Sequence, residues 1–341
     1  MKIGIVGYQG TGKTTLFEWL SQTEADPALA HLGQSVTVPV PDPRVHRLAA
    51  IYQPKKVTLA GLELADTPGL APEQEGNAAK LASIREAGCL VIVVPAFNGQ
   101  DPTTQLANFR DDLLLADLQI VAGRIERVRD SLRKPRPNRD ELAKELELLE
   151  EIHRALEVGT HLLQLELTPD QQRMLRSFQL FNLKPRFVVV NLADDEPQPE
   201  QYRSLDGETE VEAVAVRLQH ELARLPADER AAFCEEMGVV EVDRGEILRR
   251  LVAASGQIVF FTAGEREVRS WMVRQGCTAV EAAAAIHTDL ARGFVRAEVM
   301  RWEDLVRLGS EREVKAHNLV RRESKDYVIQ DGDVIYIQHH S

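Results

Sequence analysis

Apolar residues in this chain fall into short continuous runs, with stretches that read as helices between and after them. Lys2-Ile3-Gly4-Ile5-Val6, Cys89-Leu90-Val91-Ile92-Val93-Val94 and Arg186-Phe187-Val188-Val189-Val190 are uniformly apolar and short. Such runs predict strands buried on both faces, as in a parallel sheet. Gly61-Leu62-Glu63-Leu64-Ala65 alternates instead, which predicts a half-buried strand. Thr14 to Leu20, Asp228 to Met237 and Gly245 to Ser255 predict helices. Strands alternating with helices predict an α/β fold with a parallel sheet. Its ligand site should lie at the C-terminal ends of the strands.

Two regions break the alternation. Pro135 and Pro137 should end one helix, and Asn138 should open another, so the region around them reads as a pair of long helices. From 258 onward short strands surround an alanine-rich helix, Ala279 to His287. Asp331-Gly332-Asp333 marks a turn before a terminal strand. That pattern is compatible with a β-grasp fold.

Chemistry enters at the first strand. Gly7-Tyr8-Gln9-Gly10-Thr11-Gly12-Lys13-Thr14-Thr15 fits the phosphate-loop pattern Gly-x-x-x-x-Gly-Lys-[Ser/Thr], between a strand and a helix. The glycines allow a tight turn whose N–H groups face a triphosphate, and the helix N-terminus adds partial positive charge. Lys13 is expected at the β and γ phosphates, and the Thr14 hydroxyl on Mg²⁺.

The alternating strand ends on Asp66-Thr67-Pro68-Gly69-Leu70. In a GTPase-type switch, Asp66 would hold Mg²⁺, usually through water, and the Gly69 N–H would sense the γ-phosphate. Lys13, Thr14, Asp66 and Gly69 are the candidate catalytic set, and Thr14 and Asp66 the candidate metal ligands. Leu70 stands where many switch GTPases carry a water-orienting glutamine, so a slow unaided rate is expected. Gln74 is a weak substitute.

The strand 186–190 ends on Asn191-Leu192-Ala193-Asp194, close to the Asn-Lys-x-Asp that reads guanine. Asp194 could accept from guanine N1–H and the exocyclic amine. Adenine offers no donor on the matching edge. Leu192 replaces the usual lysine with an apolar contact. Val214-Ala215-Val216-Arg217, after one more strand, should close the base pocket, with Ala215 and Val216 as its contacts.

These motifs and the segments between them resemble the YchF family, the Obg-like ATPases, over essentially the whole chain. Val38-Pro39-Val40-Pro41-Asp42-Pro43-Arg44, Gln53-Pro54-Lys55-Lys56-Val57, Leu115-Ala116-Asp117-Leu118, Phe261-Thr262-Ala263-Gly264, Gly293-Phe294-Val295-Arg296-Ala297-Glu298-Val299 and Lys325-Asp326-Tyr327-Val328-Ile329-Gln330-Asp331-Gly332-Asp333-Val334 carry the resemblance. It implies an α/β P-loop NTPase of GTPase type with a parallel sheet, an inserted helical hairpin and a C-terminal β-grasp (TGS-like) domain. It also implies a family without the catalytic glutamine, and association with ribosomes. On this basis 1–118 plus 183–257 is the nucleotide domain, 119–182 the hairpin and 258–341 the TGS-like domain. The departures mark a divergent member. Gly10 replaces the family's asparagine, which bears on potassium assistance. The family's switch-one threonine has no clear match in 28–34, and Ser35 and Thr37 are the candidates to replace it. The second switch is shortened to 71–77, and the base motif ends in Asp194 where the family has glutamate.

Composition narrows the partners. The 341 residues carry a net charge of −12, with 44% hydrophobic and 28% charged residues, as expected of a globular protein of two or three domains. The longest apolar run, Cys89 to Phe97, is too short for a membrane span, and the phosphate loop interrupts any signal-peptide core. Cys89, Cys234 and Cys277 have no metal spacing, which fits a reducing cytosol. Segment 119–182 is neutral, and the nucleotide domain carries about −11. Yet 124–139 holds seven basic residues and two acidic ones. A basic hairpin tip on an acidic protein suits contact with RNA phosphate through Arg129, Arg133, Lys134 and Arg136. A solvated hairpin laced with salt bridges explains the same pattern.

The expectation is a cytoplasmic, Mg²⁺-dependent nucleoside triphosphatase that binds ATP or GTP and switches conformation, with ribosomal RNA as partner and neither membrane nor DNA. The rival is a nucleotide-gated binding module with negligible turnover, which Leu70 and the short switches permit. A small-molecule phosphotransferase is disfavoured, since no acceptor pocket is visible.

Overall fold

The computed structural model describes residues 1–340 except 72–76, 98, 136, 196–198, 204, 206 and 208. Among the described residues the strands are β1 (Lys2–Val6), β2 (Gln34–Pro39), β3 (Lys56–Thr58), β4 (Gly61–Asp66), β5 (Cys89–Ala96), β6 (Arg186–Leu192), β7 (Glu210–Val214), β8 (Gln257–Ala263), β9 (Glu267–Arg274), β10 (Phe294–Arg301), β11 (Arg321–Glu323) and β12 (Asp333–His339). The backbone gathers into two compact units, Met1–Val36 with Leu64–Val242 and Thr37–Glu63 with Asp243–Ser341. The helical insertion lies inside the first.

The sheet of the first unit has the order β2-β4-β1-β5-β6-β7. The uniformly apolar runs become β1, β5 and β6, its parallel centre, with Ile3 opposite Cys89 and Leu90 opposite Arg186. β7 adds a parallel neighbour to β6. Val6, Leu90, Ile92, Val188 and Val190 are buried together on one face, and Ile5, Val91, Val93, Phe187 and Val189 are buried on the other, so these strands are covered on both faces. The end of β4 is drawn beside β1, because the Thr67 N–H and hydroxyl both donate to Ile5 O, at 3.3 and 2.6 Å.

The helix Pro102–Leu132 runs for 31 residues, about 46 Å at the α-helical rise. Its first half packs Leu106, Phe109 and Leu113 on the sheet core. Its second half pairs with the helix Arg139–Glu157 around a separate core that includes Val121, Val128, Leu149 and Ile152. The break falls at the two prolines, as expected. Proline cannot donate to the helix ladder, and its ring disfavours helical geometry at the preceding residue. At the root of the hairpin, Asp117 is fully buried. It accepts from Arg85 Nη1 (2.8 Å), Phe181 N (3.1 Å), Asn182 N (2.9 Å) and Asn182 Nδ2 (3.2 Å).

The second unit holds a mixed sheet of order β11-β10-β12-β8-β9-β3. β8 and β9 are antiparallel, whereas β12 and β8 are parallel. The helix Ala279–Ile286 lays Ala279, Ala282 and Ala283 against a cluster that includes Phe260, Val299 and Ile335. Alanine leaves little side chain between helix and sheet, so the two approach closely. A helix packed on a mixed sheet is consistent with the expected TGS-like fold.

Candidate nucleotide-binding site

The loop after β1 folds as its glycines require. Gly12 has φ +94°, and a Cβ there would overlap the Asn191 amide. Only glycine meets both demands at low cost. The helix Lys13–Ser21 starts directly afterwards, with Leu16, Phe17 and Leu20 buried to hold it on the sheet. Its first-turn N–H groups and those of 10–13 supply the donors expected of an anion cradle.

Lys13 is buried, and its Nζ donates to Tyr8 O at 2.6 Å. Burial pushes its ammonium down from 10.5 to about 8; Asp66 opposes the shift and Lys80 adds to it. Thr11 Oγ1 also donates to Tyr8 O, at 3.1 Å. The Tyr8 side chain turns away from the loop. Its hydroxyl donates to Asp112 Oδ2 at 2.6 Å and its ring meets Phe109 edge-on at 5.3 Å, which anchors the loop to the long helix. Gln9, Gly10 and Thr14 are exposed, while Thr15 lines the neighbouring cavity.

Thr14 and Asp66 meet directly, with the hydroxyl donating to Asp66 Oδ2 at 2.8 Å. Burial raises the Asp66 carboxyl above its ordinary value; Thr14, Lys13 and Gln34 partly offset this. Asp66 Oδ1 is buried with no hydrogen-bond donor among the described residues. An unmet buried acceptor costs about 1–3 kcal/mol, and more when charged. A hydroxyl beside an uncompensated carboxylate oxygen is a donor set that suits Mg²⁺, so the residues present fit that ion.

The segment after β4 docks on the phosphate loop. Leu70 N donates to Gly7 O (3.1 Å), and Gln9 N donates to Leu70 O (3.0 Å). The Leu70 side chain is 0% exposed, inside the apolar core of the first unit. It therefore faces packing rather than a water molecule. At Gly69 a Cβ would lie 2.8 Å from Lys13 Nζ and 3.0 Å from Gln9 Cα, so the backbone approaches closely because this residue has no side chain. The helix Asn77–Arg85 holds the segment in place. Buried Asn77 donates to Ala71 O and accepts from Ala71 N, and Lys80 Nζ donates to Gly69 O at 2.9 Å. Gln74 lies outside the described residues. Ser35 and Thr37 are exposed on β2, and the residue of that strand found with Asp66 is Gln34.

At the other end of the loop, Asn191 Nδ2 donates to Thr11 O (3.0 Å), and Asn191 Oδ1 accepts from Val216 N (3.2 Å). One side chain thus ties the end of β6 to the phosphate loop and to the turn after β7, where Ala215 and Val216 open the helix Val216–Ala223. Beside it is a cavity of about 780 Å³ whose lining includes Gly12, Thr15, Phe97, Leu192, Asp194 and Phe233. Leu192 is buried, with part of its surface on that cavity, as an apolar contact for a base requires. Asp194 is paired with Arg217.

Sequence reasoning missed Phe97, Phe233 and Lys80; it placed Arg217 in the segment that closes the base pocket, without its pairing to Asp194. Phe97 could have been found, since it ends the apolar run of β5, where ligand-binding loops leave a parallel sheet. Phe233 and Lys80 lie on helices with no local motif. Of the hairpin residues, Arg129 pairs with Glu150 at 2.7 Å and Arg133 with Asp130 at 3.2 Å. Lys134 is exposed, and Arg136 lies outside the described residues.

Fold and site together define a P-loop nucleotide-binding protein of the GTPase type, carrying a helical hairpin and a β-grasp unit. A family model described as a 50S ribosome-binding GTPase matches residues 2–122. The C-terminal family of YchF GTPases, described only as a protein of unknown function, matches 257–340. The ribosome-binding ATPase YchF of Bacillus subtilis is 33% identical, covering 98% of each chain. Obg-like ATPase 1 of Oryza sativa subsp. japonica is 34% identical, covering 99% of this chain and 92% of its own. The structure of the Schizosaccharomyces pombe YchF GTPase superposes with a TM-score of 0.83 at 24% identity, covering 99% of this chain and 97% of the other. The chain belongs to the YchF family.

No helix among the described residues is long and apolar enough to cross a membrane.

Proposed function

We propose that this protein is a Mg²⁺-dependent nucleoside triphosphatase that works as a ribosome-associated conformational switch. The observation that carries the reading is the convergence of Lys13, Thr14, Asp66 and Gly69 on one loop that Asn191 also holds. In this reading Lys13 binds the β and γ phosphates, and the N–H groups of 10–15 bind the remaining oxygens. Thr14 and Asp66 would hold Mg²⁺, which supplies charge neutralisation at the phosphates. The Gly69 N–H senses the γ-phosphate, and the base lies along Leu192 and Phe97 within reach of Asp194. The ribosome comes from the relatives' names and from the basic hairpin tip; a role in translation or in stress responses follows from that association.

A second reading, a nucleotide-gated binding module with negligible turnover, is favoured by one observation. Leu70 is buried and cannot orient water. Single-turnover hydrolysis on nucleotide-free protein, with and without ribosomes, separates the two. Cleavage that the ribosome accelerates supports the switch, and no cleavage in either condition supports the module. A competition titration of ATP against GTP then fixes the nucleotide. Binding of neither would overturn both readings.

A further inference from the structure

We propose that Lys80 is a second cationic ligand of the γ-phosphate, and that it makes the site discriminate triphosphate from diphosphate. This rests on the nucleotide-switch reading and goes beyond its residue set.

The helix Asn77–Arg85 begins at the end of the switch segment. Asn77, buried in its first turn, grips both backbone groups of Ala71. That grip sets the position of the next turn. Lys80, three residues on and on the same face, places its Nζ 2.9 Å from Gly69 O. Gly69 is also the residue whose absent Cβ leaves room for Lys13, 2.8 Å from that ammonium. Two lysines from different elements are thereby brought to a single glycine. They are close enough that Lys80 helps to depress the Lys13 pKa.

Like charges held together are costly unless a counter-charge joins them. Asp66 supplies one negative charge nearby. A terminal phosphate with two negative charges beside Gly69 would balance the pair, whereas a diphosphate would leave Lys80 without an anionic partner. An ammonium has three N–H donors, and the bond to Gly69 O uses one. Lys80 is half-buried, which strengthens a charge-assisted bond without sealing the group away. Lys13 is the cation that the loop itself offers the γ-phosphate; Gly10 has no side chain and Leu70 is apolar and buried, so neither adds a second polar contact there.

The test compares full-length wild type, Lys80→Gln and Lys80→Arg, all nucleotide-free and with Mg²⁺ present. Each is titrated with β,γ-imido triphosphates and with diphosphates of adenosine and guanosine. Glutamine can still donate to Gly69 O but carries no charge, whereas arginine keeps the charge. Lys80→Gln should weaken the triphosphate analogue about 10-fold or more and leave the diphosphate within about twofold, while Lys80→Arg should keep most of the preference. An unchanged triphosphate-to-diphosphate ratio in Lys80→Gln, with wild type binding normally, would overturn the role of Lys80 alone. So would equal loss of both nucleotides in both variants, which marks a structural latch. Wild type binding neither nucleotide would overturn the switch reading itself, and the role of Lys80 with it.

Discussion

The Asp194 carboxylate is held by the Arg217 guanidinium, whose Nε and Nη2 both donate to Oδ2. Any base read by Asp194 must share the carboxylate with this arginine or displace it. Arg217 is 73% exposed and its partner 31%, so solvent screens the pair and the arginine can swing out. If guanine is the ligand, Asp194→Ala should lower GTP affinity and leave ATP affinity nearly unchanged, and Arg217→Ala should raise GTP affinity by freeing the carboxylate. A competition titration reads both. Wild-type preference for ATP in the same titration would mean that stacking and main-chain contacts outweigh the carboxylate.

Lys13→Ala should weaken triphosphate binding severely. A charge-assisted phosphate contact is worth on the order of 2–4 kcal/mol, or roughly 30- to 1000-fold in affinity. Removing the buried ammonium takes away a desolvated charge, so the melting temperature of the nucleotide-free protein should not fall. Triphosphate affinity equal to wild type in the folded variant would remove Lys13 from the phosphate site.

The depressed Lys13 pKa gives binding a pH dependence of definite sign. Below about 8 the ammonium is charged in both free and bound protein, and this group contributes no slope. Above about 8 the free protein loses the proton that phosphate binding must restore, so triphosphate affinity should fall as pH rises. Stability runs the other way. Between about 8 and the ordinary 10.5 the unfolded chain binds more protons, so this group makes nucleotide-free protein more stable with rising pH. Calorimetric titrations at pH 7 to 9.5 should show proton uptake on binding at the alkaline end, and Lys13→Ala should abolish it.

Asp117→Ala should destabilise the protein sharply. It removes the acceptor for Arg85, whose side chain is 11% exposed, and leaves two backbone N–H groups without their partner. Breaking one side of a buried, hydrogen-bonded charge pair costs about 3–5 kcal/mol. A thermal melt is the measurement, and a loss below about 1 kcal/mol would mean that water replaces the carboxylate at the hairpin root.

Changing Arg129, Arg133, Lys134 and Arg136 together to Gln should reduce co-sedimentation with ribosomes without altering nucleotide affinity. The ion pairs Arg129–Glu150 and Arg133–Asp130 reduce what those two arginines can offer phosphate. Lys134→Gln alone should therefore account for a large share of the loss. Binding should weaken with salt, with a slope that reflects only a few phosphates. Wild-type co-sedimentation by the quadruple variant across several salt concentrations would return the tip to a solvated salt-bridged surface.

Much of this protein was legible from local order. The phosphate loop, the Asp66 and Asn191 motifs, the strands β1, β5 and β6 and the proline break in the hairpin depend on spacing within a few residues. There, backbone sterics and burial period leave few alternatives. Periodicity also placed the helices Ala227–Met237, Arg244–Ala254 and Ala279–Ile286 to within a residue or so.

What joins those pieces came only from the tertiary structure. Nothing near Asn191 in sequence says that it will bond Thr11 O, 180 residues away. Lys80 looks like an ordinary charge on a short helix, and it becomes part of a site because packing brings that helix to Gly69; Arg217 lies in the expected pocket-closing segment, but its hold on Asp194 is set by the same packing. Leu70 could be read as a missing glutamine, but its burial against the core depends on strands from distant parts of the chain. Local sequence sets which backbone shapes and faces are available. Which side chains then meet is decided when distant segments bury their apolar faces together, and that choice minimises exposed apolar area and unmet hydrogen bonds over the whole unit.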